Sequence, residues 1–222
     1  MVNIHDVEIN KNDWAGDKLE AIFKRQGELM QKYHDIEAAN GLLQTPDCPV
    51  DLHDRFGQAR LKDFAWRATE ELGEALDAMD KFLRGDHGIE HCNEELADAL
   101  HFLTEFTILA GLGPKDIIGV GDGEADGLDL LFHRVMLEPS SEMARLIGVF
   151  VKHMGMTCNC FKNKPWKQSH MLTDTQEFYM NLLQAWVAFI KICKAVKLNA
   201  ESLTEYYFGK SEVNRFRQRS NY

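Results

Sequence analysis

A chain of 222 residues with 45% hydrophobic content carries enough apolar material for a sizeable packed core, which excludes a disordered or fibrous protein. Thirty-five acidic against 25 basic side chains leave a formal net charge of -10, so nucleic acid and anionic membrane surfaces are repelled and direct nucleic-acid binding is not expected. No apolar run reaches the roughly 18 residues that span a membrane, and the five cysteines are odd in number, unevenly spaced and preceded by no charged-then-apolar leader, so a soluble cytoplasmic protein is expected.

Helical periodicity dominates and strand-type alternation is nearly absent, so the predicted fold class is all-α, a helical bundle. Helices are expected at residues 14–40, 61–83, 92–110, 128–135, 140–154 and 173–196, with a C-terminal pair across 201–219. Ser140-Ser141-Glu142 and Thr173-Asp174 are N-terminal capping signals. Residues 119–127, GVGDGEADG, are expected to form a flexible acidic loop inside a single domain spanning 1–222. Asp122, Glu124 and Asp126 fit the opening of a calcium loop, but His133 stands where such a loop needs a bidentate Glu. Cys158 and Cys160 have no second ligand pair at zinc spacing and read as small, semi-buried side chains. The helices at 64–82 and 92–110 resemble those at 140–154 and 173–196 in length and spacing. That likeness suggests a decayed internal duplication in which the first copy alone keeps its acids.

On a helical wheel Glu95 points with Ala99, Phe102 and Phe106, and Asp98 lies about 60° to one side. Glu94, His101 and Glu105 fall further round, where solvent is expected. On the preceding helix Glu71 falls among Phe64, Ala68, Ala75, Ala78 and Phe82, flanked by Glu74. Each helix thus stacks an acid pair one turn apart on a face that borders its apolar stripe. An unpaired carboxylate in a low-dielectric interior costs several kcal/mol or takes a proton, so a positive species must answer the cluster. Neither stripe holds a Lys or Arg at matching spacing, although Lys81 and Arg84 lie just beyond the first. Hard divalent cations suit clustered carboxylates, and Mg²⁺ keeps positions for water and phosphate oxygens. Either acid pair by itself fits a solvated helix face as well.

Glu71-Leu72-Gly73-Glu74, followed by Glu95-Leu96-Ala97-Asp98-Ala99-Leu100-His101-Phe102, resembles the ExxE and ExxDxxHF helices of the all-α nucleotide pyrophosphohydrolases. That group includes the dimeric dUTPases, the dCTPase-dUTPase branch and the MazG-type enzymes. Residues 206–222, YYFGKSEVNRFRQRSNY, resemble the Y-x-G-K-x-x-x-N-x-F-R-Q segment of the dimeric dUTPases. The resemblance implies Mg²⁺-dependent hydrolysis of a pyrimidine deoxynucleoside triphosphate, foremost dUTP, to the monophosphate and pyrophosphate by a homodimer. It implies Glu71, Glu74, Glu95 and Asp98 as metal ligands, with Glu71 or Glu74 as the catalytic base. It places Lys210 and Arg217 on the phosphates, on a tail that closes over the site, with Asn214 on the nucleotide, Gln26 on the pyrimidine and Phe102 against the base. Taken alone, Lys210 and Arg217 fit a solvated face, Gln26 a surface position and Phe102 core packing.

Departures from the pattern keep dCTP, a modified pyrimidine nucleotide and an inactive nucleotide-binding bundle as alternatives. Asp80-Lys81-Phe82-Leu83-Arg84-Gly85 replaces a W-K-x-W-K stretch, and Lys164-Pro165-Trp166-Lys167 resembles that stretch at another place. Met30 stands where an asparagine is expected. The apolar stripe of Leu29, Met30, Tyr33 and Ile36, with Trp186, Phe189 and Ile190, offers surface for a dimer.

Overall fold

The computed structural model describes residues 7–42, 47–119, 126–138, 141–162, 164, 166, 168 and 171–219. Among these no strand occurs, and the fold is an all-α bundle as expected. A 3₁₀ turn at Lys11–Trp14 precedes α1 (Lys18–Ala39), α2 (Arg55–Arg84), α3 (Glu90–Leu109), α4 (Pro114–Ile118), α5 (Gly127–Arg134), α6 (Met143–Asn159), α7 (Thr175–Ala195) and α8 (Ala200–Arg219).

Short polar side chains fix where these helices start. The expected first helix is interrupted, because Asn10 caps the 3₁₀ turn while Asp17 caps α1 through the Glu20 N–H at 2.9 Å. Asp54 starts α2 earlier than the apolar periodicity indicates, accepting from the Phe56 and Gly57 N–H groups at 2.8 and 2.9 Å. Gly85, at φ 82, ends α2 in the left-handed conformation that a side chain would strain. Asp174 caps α7 through Glu177 N–H as expected, whereas Glu142 precedes α6 without a side-chain cap and Ser140 lies outside the described residues.

The C-terminal pair is corrected to one helix. Asn199 and Ser202 form a reciprocal cap, with the Asn199 side chain accepting from Ser202 N–H at 2.9 Å and the Ser202 hydroxyl from Asn199 N–H at 3.0 Å. α8 then runs through Gly209, since a mid-helix glycine costs about 1 kcal/mol and burial of Leu203, Tyr207, Phe208 and Val213 outweighs it. Arg25 ties α1 to this helix through Glu212 at 2.6 Å and Ser211 at 3.3 Å, with its guanidinium over the Phe208 ring.

α3 lies at the centre, packed against α1, α2, α7 and α8. The most extensive packing joins α2 to α3 and α6 to α7, the two pairs whose spacing suggested a duplication. One apolar core draws residues from every helix. That core corrects the physical argument for a dimer: Leu29, Met30, Trp186, Phe189 and Ile190 are buried within the chain itself, leaving Tyr33 and Ile36 as the exposed members. The five cysteines are free, with Cys160 buried and Cys158 half-buried. Among the described residues no helix is long and apolar enough to cross a membrane. Asp126 caps α5 through Leu128 and Asp129 N–H groups and accepts from the Lys18 N–H, while the other calcium-loop acids lie outside the described residues.

Candidate active site

The i, i+3 spacing places Glu71 and Glu74 on one edge of α2, facing Glu95 and Asp98 on α3. One carboxylate oxygen from each of Glu71, Glu74 and Glu95 lies within 4.8 Å of the others. Glu95 is 7% exposed, Glu71 half-buried and Glu74 open to solvent. His91 Nδ1 stands 3.1 Å from Glu95 Oε1. Asp98 turns instead toward α8, where its Oδ2 meets Lys210 Nζ at 2.5 Å, with Glu94 at 4.0 Å on the same ammonium. Part of the positive charge that the acids require therefore comes from a helix remote in sequence, and Lys210 is engaged by Asp98.

Burial pushes the Glu71 carboxyl up to about 8, and the nearby Asp98, Glu95 and Glu74 push the same way. Glu95 and Asp98 are also raised by burial, with Lys210 opposing. Burial acts against the Lys210 charge, but Asp98, Glu95 and Glu94 together raise its pKa. A group of convergent oxygen donors, half-dry and reluctant to ionise together, fits a hard divalent cation. Among the described residues it is the one cluster of at least three potential ligands, and Cys158 and Cys160 take no part in such a group.

Beside the acids lies a cavity of about 630 Å³. Gln26, Glu71, Asp98, Phe102, Asn214 and Arg217 all border it. Glu95 and Glu74 join it through Glu71, and Lys210 joins it through Asp98. Phe64 and Phe102 form an aromatic wall with ring centroids 6.2 Å apart. Asn214 and Arg217 project from α8, already packed as a helix on α1 and α3 rather than as an unordered tail. Lys164 and Trp166 lie outside the lining, and Pro165 and Lys167 outside the described residues.

A buried polar network forms the opposite wall, and it corrects the wheel reading of α3. His101 and Glu105, expected at solvent, are each 6% exposed, because α1, α2, α7 and α8 leave α3 no free side. Gln26 is 4% exposed and no surface residue. Its Oε1 accepts from Tyr207 Oη–H at 2.9 Å, a proton shared with the Ile22 carbonyl at 3.1 Å, and from His101 Nδ1 at 2.7 Å, while its Nε2 donates to Glu105 Oε2 at 2.8 Å. The His101 and Tyr207 rings stack at 4.0 Å. Burial lowers the His101 pKa to about 3, so the imidazole is neutral and an accepting Gln26 Oε1 puts its proton on Nδ1. Burial raises Glu105 to about 7, with the Gln26 hydrogen bond opposing. One signal for this burial was present in the sequence. Ala97 and Ile108 on one side and Phe102, Phe106 and Leu109 on the other extend the apolar surface of α3 over well more than half of its circumference, up to the arc that holds His101 and Glu105, the pattern of a helix enclosed on more than one face.

A family model described as dUTPase matches residues 64–222, from α2 through the C-terminal block and including the acids, Phe102, Lys210, Asn214 and Arg217. No curated protein and no solved structure matches the chain. With an all-helical frame and a match over most of its length, the chain belongs to the all-α dUTPase family, a group of nucleotide-hydrolysing enzymes.

Proposed function

We propose that this protein hydrolyses a pyrimidine deoxynucleoside triphosphate, dUTP in the first place, to the monophosphate and pyrophosphate in a Mg²⁺-dependent reaction. The observation that carries this reading is one cavity bordered both by the acids Glu71 and Asp98 and by the aromatic and amide groups Phe102 and Gln26. Asp98 and Glu105 are two turns apart on α3, about 10 Å along the axis. That is a span suited to a nucleoside lying between its phosphates and its base edge.

Glu71, Glu74, Glu95 and Asp98 are the groups that would hold Mg²⁺, which when bound supplies charge neutralisation for a polyphosphate and an acidified water. Glu71 then takes the proton of the attacking water as its oxygen bonds to the α-phosphorus. The bond from that phosphorus to the bridging oxygen breaks, and pyrophosphate leaves with the electron pair. Glu74, the more exposed of the pair, is the second candidate for the base. Lys210 and Arg217 counter the charge that grows on the departing phosphates. Asn214 contacts the nucleotide from α8, and the Phe102 face packs on the base.

A pyrophosphate-release screen over all deoxynucleoside triphosphates tests the reading. The expected result is turnover of a pyrimidine substrate with Mg²⁺, lost in Glu71→Gln and Asp98→Asn. Binding of nucleotide without any pyrophosphate would replace it with a non-catalytic nucleotide binder.

A further inference from the structure

Glu105 is a buried carboxyl group that the hydrolytic step does not use, and its surroundings give it a defined hydrogen-bonding vacancy. Its Oε2 accepts from Gln26, while its Oε1 takes no hydrogen bond among the described residues and lies 4.0 Å from His34 Nε2. His34 Nε2 is itself engaged by the Arg60 guanidinium, which carries its charge permanently and can only donate. Burial, followed by Arg60, keeps His34 below its ordinary pKa, so it is a neutral acceptor there and no ion-pair partner for Glu105. The remaining charged groups that act on Glu105 are Arg60, Glu37 and Arg67, and all of them border the cavity.

Gln26 is constrained in a complementary way. Both lone pairs of its Oε1 are taken, by Tyr207 and His101, and one N–H is given to Glu105. An ionised Glu105 can only accept, so it holds the amide in this orientation, in which Gln26 offers a ligand one N–H donor and no acceptor. Gln26 and Glu105 therefore present, side by side on the cavity wall, a donor and an acceptor. The complement is a ring carbonyl next to a ring N–H, as on the edge of a uracil-type base. A glutamine in place of Glu105 would satisfy Gln26 equally well, so the internal network alone gives no reason for a buried acid here.

We propose that Glu105 is a base-contacting residue that accepts the ring N–H of the pyrimidine, while the free N–H of Gln26 donates to the adjacent carbonyl. This rests on the pyrimidine nucleotide reading above and deepens it: the preferred substrate carries an imide edge.

The test compares kcat/KM for dUTP and 3-methyl-dUTP in the wild type and in Glu105→Gln. The amide introduced by that substitution would turn an N–H toward the base, so kcat/KM for dUTP is expected to fall roughly ten- to a hundredfold, the range for a hydrogen bond to a charged group. 3-Methyl-dUTP, which has no ring N–H to give, should be turned over equally by both proteins. The steric effect of the methyl group is common to both, so the ratio of the two selectivities isolates the contact. The same discrimination in wild type and variant overturns the role of Glu105 and leaves the pyrimidine reading standing. A wild type that turns over neither nucleotide overturns the role of Glu105, and the pyrimidine reading falls with it when dCTP is not turned over either. Should the variant fail to fold, equal wild-type kcat/KM for the two nucleotides would by itself overturn the proposal.

Discussion

The helix pair α2–α3 and the helix pair α6–α7 treat their polar groups in opposite ways. In the second pair these groups are satisfied internally. His153 Nδ1 meets Asn181 Oδ1 at 3.2 Å, Asn181 Nδ2 donates to the carbonyl and carboxylate of Glu177 at 2.9 Å, and Thr157 donates to the His153 carbonyl at 2.9 Å. In the first pair Glu71 and Glu95 crowd together, raised by burial and like charge. The first arrangement is unfavourable for an empty bundle, and a ligand that brings positive charge relieves it. Polar groups that a fold could have omitted, kept where they oppose one another, mark a functional site.

Breaking the acid cluster should have the largest effect. Glu71→Gln is expected to lower turnover by roughly 10²–10⁴-fold, the scale of a lost catalytic base, measured as pyrophosphate release. Lys210→Ala should raise KM for the nucleotide by roughly ten- to a hundredfold, since it removes the proposed phosphate partner and leaves Asp98 without its ammonium. Mg²⁺ binding measured by calorimetry should change less than KM in that variant, and unchanged Michaelis parameters would contradict its role.

The pH dependence of stability sharpens the comparison. Glu71 is raised from 4.5 to about 8, so the stability it contributes is complete below 4.5 and is lost as pH rises through about 8. Glu105 acts with the same sign, up to about 7. In metal-free thermal melts Tm should fall across that window, and the fall should be smaller in Glu71→Gln. Mg²⁺ should restore Tm in the wild type at the alkaline end. The smallest expected effect on activity lies in the other pair. Trp186→Phe loses the hydrogen bond from Nε1 to Thr107 Oγ1 at 3.0 Å and should cost about 1–3 kcal/mol of stability in denaturant titrations, with kcat/KM for the nucleotide unchanged.

Local chemistry was legible in the sequence. The i, i+3 acid pairs follow from helical spacing, the Asp174 cap from its position before an apolar periodic run, and the all-α class from the absence of alternation. Features that depend on remote contacts were not. A wheel assigns one buried face to a helix, and α3 has neighbours on every side, so His101 and Glu105 were assigned to solvent although they are among its most enclosed polar residues. The ion pair between Asp98 and Lys210 joins positions far apart in the chain. The run of α8 through Gly209 depends on a groove built by other helices, and glycine's local preference argues the other way.

The central claim is that these carboxylates admit a polyphosphate only when a divalent cation is present. Calorimetric titration of the wild type with α,β-imido-dUTP, which resists cleavage at the scissile bridge, tests this with Mg²⁺ and with chelator. The account predicts binding in Mg²⁺, none in chelator, and weaker Mg²⁺-dependent binding in Glu71→Gln. Equal affinity with and without Mg²⁺ would contradict it.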